Sequence, residues 1–123
     1  MTDAVVLERT LTQEDFDLFA SLSGDDNPIH VSPEFSARTR FGRTVSHGVL
    51  LLSVLRGLAD RLVPGARQIE QSVMYPAPTF AGEAMRFSAQ VSARLPRGVE
   101  ISMQVTRIAD GAVTCEATGV FAP

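Results

Sequence analysis

At 123 residues the chain has room for one domain around one hydrophobic core. Hydrophobic residues make up 45% and charged residues 20%, which excludes a chain that stays disordered, and no apolar run approaches the roughly 20 residues needed to cross a bilayer. The net charge of -3 argues against a general nucleic-acid role, and a single cysteine, Cys115, excludes an intramolecular disulfide and any cysteine-rich zinc site. All 11 basic residues are arginine, so Schiff-base chemistry and a P-loop lysine are unavailable. From Met1 to Arg9 no basic region precedes an apolar stretch, so no secretory leader is expected and the cytoplasm is the expected compartment.

Residues Ala4 to Glu8 read as a short strand. Thr12-Gln13-Glu14-Asp15 predicts a helix start, with Thr12 as N-cap and Asp15 reaching back to complete a capping box. Phe16, Phe19 and Ala20 then fall at helical spacing. Ser23-Gly24-Asp25-Asp26-Asn27-Pro28 is a dense turn cluster that must end this helix. Ser32 and Pro33 open a second short helix as N-cap and first helical residue. Ser46 to about Leu62 is the most apolar stretch, with apolar side chains in nearly all directions at its start, and predicts a buried helix with Ser46 as N-cap. Pro64-Gly65 ends it, and the period then changes to about two. Gln68–Tyr75, Ala84–Arg94, Val99–Ile108 and Val113–Phe121 read as strands, with Asp110-Gly111 as a hairpin turn. Helices early and strands late predict an α+β domain over residues 1–123, an antiparallel sheet wrapped on the long helix. So small a domain hides more apolar surface if two copies join, which predicts a dimer.

The segment with most chemistry is Ser23-Gly24-Asp25-Asp26-Asn27-Pro28-Ile29-His30. A carboxylate and an imidazole five residues apart across a proline turn can converge on one water, orient it and move its proton. The same residues also make sense as plain structure, with Asp25 capping a turn, Asn27-Pro28 starting the next and His30 partly buried and hydrogen-bonded.

From Phe19 to His30 the chain resembles the signature of the R-specific enoyl-CoA hydratases and MaoC-like dehydratases, an aromatic residue followed by Ser-Gly-Asp-x-Asn-Pro-aliphatic-His. The resemblance continues through Phe35 to Arg43 and Ser46-His47-Gly48-Val49-Leu50. It extends to Tyr75 to Glu83, where Gly82 is followed by Glu83 and the family more often has Asp. It implies the hot-dog fold, a five-stranded antiparallel sheet around a long central helix, usually dimeric. It also implies reversible syn-hydration of a trans-2-enoyl thioester to an R-3-hydroxyacyl thioester, CoA-linked, with no metal or other cofactor. Carried over residue by residue, Asp25 and His30 hold and activate the water, and Gly48 offers its backbone N–H to the thioester oxygen. The alternatives are a dehydratase on fatty-acid or polyketide intermediates bound to an acyl carrier protein, and a non-catalytic acyl-thioester-binding subunit.

A glycine at a helix start suits the role implied for Gly48, since enolate charge develops where the helix dipole and a free N–H favour it. Ser23, Gly24 and Asn27 are expected to shape the loop, and His47 to serve the helix end rather than a metal. Arg38, Arg40 and Arg43 either meet the phosphates of CoA or phosphopantetheine or form a solvated face. Leu52, Leu55 and Arg56 are expected on the acyl tunnel; Arg56 either points inward to narrow it or points outward to pair with Asp60 at i+4. Cys115 is expected to be a small core residue.

Overall fold

A computed structural model describes residues 3–123. Met1 and Thr2, which the expected single domain and the reading of the chain start include, lie outside the described residues. Strand β1 spans Ala4–Thr10, and three helices follow: α1, Gln13–Ser23; α2, Pro28–Val31; α3, Pro33–Ala37. The long helix α4 is Gly48–Leu62, and four strands close the chain: β2, Arg67–Met74; β3, Ala84–Leu95; β4, Gly98–Arg107; β5, Val113–Ala122. The strands form one antiparallel sheet in the order β1-β3-β4-β5-β2. Register shifts at Gln68/Glu70, Val91/Ala93 and Val105/Thr106 bend it, as bulges do, so that it curls round α4.

Local chemistry explains the elements. Thr12 Oγ1 accepts from the Asp15 N–H while the Asp15 carboxylate accepts from the Thr12 N–H at 2.8 Å, the expected capping box. Gly24, at φ 81°, ends α1 in a left-handed conformation that L side chains rarely adopt. Leu51, Leu55, Leu58 and Ala59 recur on one face of α4 and are buried against Phe16 of α1. The inward positions of the sheet alternate, with Met85 and Phe87 on β3, Ile101, Met103 and Val105 on β4, and Cys115 and Ala117 on β5. Burial first, then the nearby Glu116, pushes the Cys115 thiol up to about 11, so it packs as a small apolar residue.

Four expectations need correction. The helix begins at Gly48 with His47 in the cap position; Ser46 makes no cap and its hydroxyl donates to the His47 carbonyl at 2.9 Å. One face of α4 is buried rather than all of it, and Val49 is 61% exposed. The segment after Asn27, read as loop, makes one helical turn, because the Asn27 side chain accepts from the Ile29 N–H at 3.1 Å and Pro28 pre-sets the first helical residue. Arg56 does not pair with Asp60: its guanidinium stacks over Phe121, 4.8 Å from the ring centroid, while Asp60 accepts from the Gly65 N–H.

At the β4–β5 turn, Asp110 accepts from the Ala112 N–H at 3.0 Å and from Arg107 at 3.0 Å. The backbone hydrogen bond is the larger cause, and together they hold this exposed carboxyl below its ordinary range. A carboxyl held low in the fold stabilises fully above its unfolded pKa and loses that contribution as pH falls through the folded value. Urea midpoints at successively lower pH are therefore expected to fall less steeply below about pH 4 for Asp110→Asn than for the unaltered protein. Equal slopes would remove Asp110 from the acid response.

Candidate active site

The chain from Thr44 to Gly48 positions the site. The Val45 N–H donates to the Ile29 carbonyl at 2.9 Å, and the Ser46 N–H donates to the Thr79 carbonyl at 2.8 Å. Val45 also bridges Phe80. This laces α2 to the wall around Thr79 and delivers Gly48 as the first residue of α4. On α2, the His30 carbonyl accepts from the Gln13 side chain at 2.8 Å, and the Thr44 hydroxyl donates to the Gln13 Oε1 at 2.6 Å. Buried Ser36 donates to the carbonyls of Pro28 and Ile29 at 3.4 and 3.3 Å.

His30 is buried, and its Nδ1 lies 2.8 Å from the Val45 carbonyl oxygen. A carbonyl only accepts, so Nδ1 carries the proton and Nε2 presents a lone pair. That nitrogen is 3.8 Å from Asp25 Oδ2. Two acceptors at this separation are too far apart for a hydrogen bond and close enough for one water to donate to both. The Asp25 side chain is 57% exposed and faces solvent. Its backbone N–H donates to Ser23 Oγ at 3.1 Å, which shapes the loop together with the left-handed Gly24.

A cleft of about 430 Å³ opens beside this pair, lined by His30, Gly48, Val49, Leu51, Tyr75 and Thr79 among others. The first N–H groups of a helix have no intrahelical acceptor, and no side chain caps α4. The Tyr75 ring lies over Gly48 so closely that a Cβ there would sit 2.6 Å from its Cζ. Burial pushes the Tyr75 phenol up, with the nearby Cys115 adding to it. A wider depression of about 550 Å³ lies on the outer face of the sheet, between Ser72, Ser88, Gln90, Ser102, Gln104 and Thr118. It contains neither histidine nor cysteine, so size does not identify the site.

The remaining candidates divide. Arg40 lines the cleft and lies 4.9 Å from the Phe41 ring centroid. Arg43 is committed to Glu83 at 3.2 Å and to the face of Phe80, and Arg38 caps α3 in solvent. Leu51 is the central-helix leucine on the cleft wall; Leu55 is wholly in the core, Leu52 packs at its margin, and Arg56 is on Phe121. A one-residue difference in helix phase separates Leu51 from Leu52, and composition alone does not set that phase. Gln13, Thr44 and Tyr75 escaped the sequence reading because their partners are far along the chain; the glycine at 48 was the one local sign that something approaches closely there.

Asp25, His30 and His47 also place ligand-type atoms within 4.8 Å of one another. The two rings stack, centroids 3.8 Å apart and planes at 23°, so their in-plane lone pairs run side by side rather than toward one point. His47 Nε2 is turned to the Asp25 carbonyl at 2.8 Å. This arrangement fits proton movement better than a metal ion.

Residues 3–113 match the family described as MaoC like domain. The (R)-specific enoyl-CoA hydratase of Aeromonas caviae is 39% identical over 92 residues, 73% of this chain and 68% of that one. The (R)-specific enoyl-CoA hydratase of Rhodospirillum rubrum is 31% identical over 112 residues, 89% of this chain and 78% of that one. The solved structure of the A. caviae (R)-hydratase involved in PHA biosynthesis superposes with a TM-score of 0.90 at 26% identity, over 99% of this chain and 96% of that one. A loop that sets a carboxylate beside a lone-pair imidazole, on a hot-dog sheet wrapped round a helix, thus comes with matching sequence along nearly the whole chain: it belongs to the MaoC-like family.

Proposed function

We propose that the chain is a hydro-lyase that adds water reversibly across a trans-2-enoyl thioester, giving the R-3-hydroxyacyl thioester, with CoA as the carrier. The observation that carries this reading is the fixed tautomer of His30 beside Asp25. One water donates to Nε2 and to the carboxylate, which leaves an oxygen lone pair free for the β-carbon. As the C–O bond forms, His30 takes the proton and the π electrons move to the thioester oxygen as an enolate. The Gly48 N–H at the start of α4 stabilises that charge. The imidazolium then returns its proton to Cα from the same side, which makes the addition syn. Asp25 stays ionised throughout and orients the water.

The reaction as proposed asks for no cofactor, since CoA or phosphopantetheine arrives as part of the substrate. A CoA-linked substrate is consistent with the expected cytoplasmic location. Arg40, on the cleft rim, is the arginine best placed for carrier phosphate, with Arg38 and Arg43 further along the same segment. We also read the working unit as a homodimer. Val49 is 61% exposed, Met74 is 60% exposed, and β2 pairs with β5 along one edge, which leaves apolar surface and an open edge for a second copy.

Loss of enoyl absorbance from crotonyl-CoA, with chiral analysis of the product, tests the reading directly. Release of free CoA thiol in place of the R-3-hydroxyacyl product would reject it in favour of thioester hydrolysis. Presenting the same acyl group on an acyl carrier protein tests the carrier; faster turnover there would move the assignment to the carrier-protein substrate.

Asp25→Asn and His30→Gln are each expected to stay folded and to lose a factor on the order of 10² or more in turnover, the scale of a positioned acid or base. A folded variant with near-normal hydration would remove that residue from the mechanism. Gly48→Ala drives a methyl into the Tyr75 ring. Since Tyr75 is 42% exposed, its ring can swing aside, so stability is expected to hold while turnover falls by about 10²-fold through misplaced substrate. Unchanged turnover would show that the close approach at Gly48 has no part in the reaction. Light scattering at micromolar concentration is expected to give twice the chain mass, and a monodisperse monomer would reject the dimer.

A further inference from the structure

We infer that His47 is a positioning residue: it ties the water-holding loop to the start of the central helix and so sets the distances among Asp25, His30 and Gly48. The inference rests on the hydro-lyase reading above, and goes beyond it by giving His47 a task the reaction does not name.

Three observations meet at this ring. Its Nε2 donates to the Asp25 carbonyl oxygen at 2.8 Å, across 22 residues of sequence. Its face stacks on His30 at 3.8 Å, and Phe19 closes the other flank at 4.8 Å. Its backbone is the cap position of α4, directly before Gly48. The Asp25 carboxylate is exposed and touches His30 at 3.8 Å without a hydrogen bond, so its own side chain does little to hold it. The backbone has to, and His47 grips that backbone from the helix that carries Gly48. The ring is 2% exposed, and among the described residues its Nδ1 has no hydrogen-bond partner, so the Asp25 carbonyl is the hydrogen bond that orients it. Because the Asp25 carbonyl only accepts, the Nε2–H tautomer is fixed. During turnover the protonated His30 ring would lie flat against this neutral ring, an arrangement that stabilises a cation.

The test uses His47→Phe, which keeps a flat ring and removes the donor, and His47→Gln, which keeps an N–H at similar reach. With crotonyl-CoA, His47→Phe is expected to lose about 10²-fold in kcat while KM changes by less than about 3-fold, and His47→Gln to recover to within about 10-fold of the unaltered protein. Hydrogen exchange in His47→Phe is expected to speed up from Gly24 to Asn27 and to stay unchanged in α4 and β3. Wild-type kcat in His47→Phe would overturn the inference, as would a Gln variant no better than the Phe variant. Faster exchange spread through α4 and the sheet would show a merely structural role and overturn it too. The ¹⁵N shifts of His47 in the unaltered protein provide a check that needs no variant: they must report the Nε2–H tautomer, and a proton on Nδ1 would refute the tie to Asp25. If the unaltered protein fails to hydrate any enoyl thioester, the functional reading falls, while the exchange and tautomer measurements still decide whether His47 holds the loop.

Discussion

The carbonyl of Val45 decides which nitrogen of His30 is available for chemistry. By accepting a hydrogen bond from Nδ1–H at 2.8 Å in a buried setting, it leaves Nε2 as a lone pair facing Asp25. A hydrogen bond sheltered from water is electrostatically stronger than an exposed one, so the tautomer is held firmly. The same short segment is laced to Ile29 on one side and Thr79 on the other, and it feeds directly into α4. Base, cleft wall and helix start therefore hang on one stretch of backbone. Moving that stretch would change the tautomer, the cleft and the place of the Gly48 N–H together.

A second support stands at the far side of the cleft wall. Arg107 is nearly buried and donates to the Pro78 carbonyl at 2.7 Å, with Glu83 at 3.0 Å and Asp110 at 3.0 Å around it. Burial works against its charge, and the hydrogen bonds it donates to Asp110 and Glu83 outweigh that and hold the guanidinium above its ordinary range. Glu83 in turn accepts from the Phe80 N–H at 3.0 Å. The residue after Gly82 is thus longer than the aspartate more frequent in the family, and it still reaches both the turn and the arginine. Positive and negative charge here fix the wall from Pro78 to Glu83, while across the cleft buried His30 meets solvent-facing Asp25 without an ionic lock. The two clusters differ because their polar groups are paired to different degrees.

The elements were legible wherever their signals are local. Thr12 and Asp15 complete their capping box within four residues. Asp110-Gly111 makes its turn from its own side chain and a φ of 74° at Gly111. β3, β4 and β5 alternate because each has one face on the core, β2 stays largely exposed, and the predicted strand spans lie within two residues of the observed ones at every end. The start of the long helix was misplaced because Ser46 has every credential of an N-cap, but its N–H is drawn to Thr79 on another part of the chain, so the helix begins two residues later. Arg56 was misread for the same kind of reason. Asp60 is its neighbour at i+4, but the guanidinium lies over the aromatic face of Phe121 and Asp60 accepts from the Gly65 N–H.

By itself, then, the order of residues determined the two periods, the caps, the turns and the grouping of a carboxylate, an imidazole and a helix-start glycine into candidates for one chemistry. The periods, caps and turns depend on side chains and backbone within a turn or two of each other, while Gly48, far along the chain from Asp25 and His30, joined them only through the family resemblance. Only the tertiary structure decided that Nε2 of His30 is the lone-pair nitrogen, that Leu51 and not Leu52 faces the cleft, and that His47 reaches back to Asp25. Each of those facts is a contact between groups distant in the chain, made at a separation of a few ångströms that packing sets and local preference does not encode.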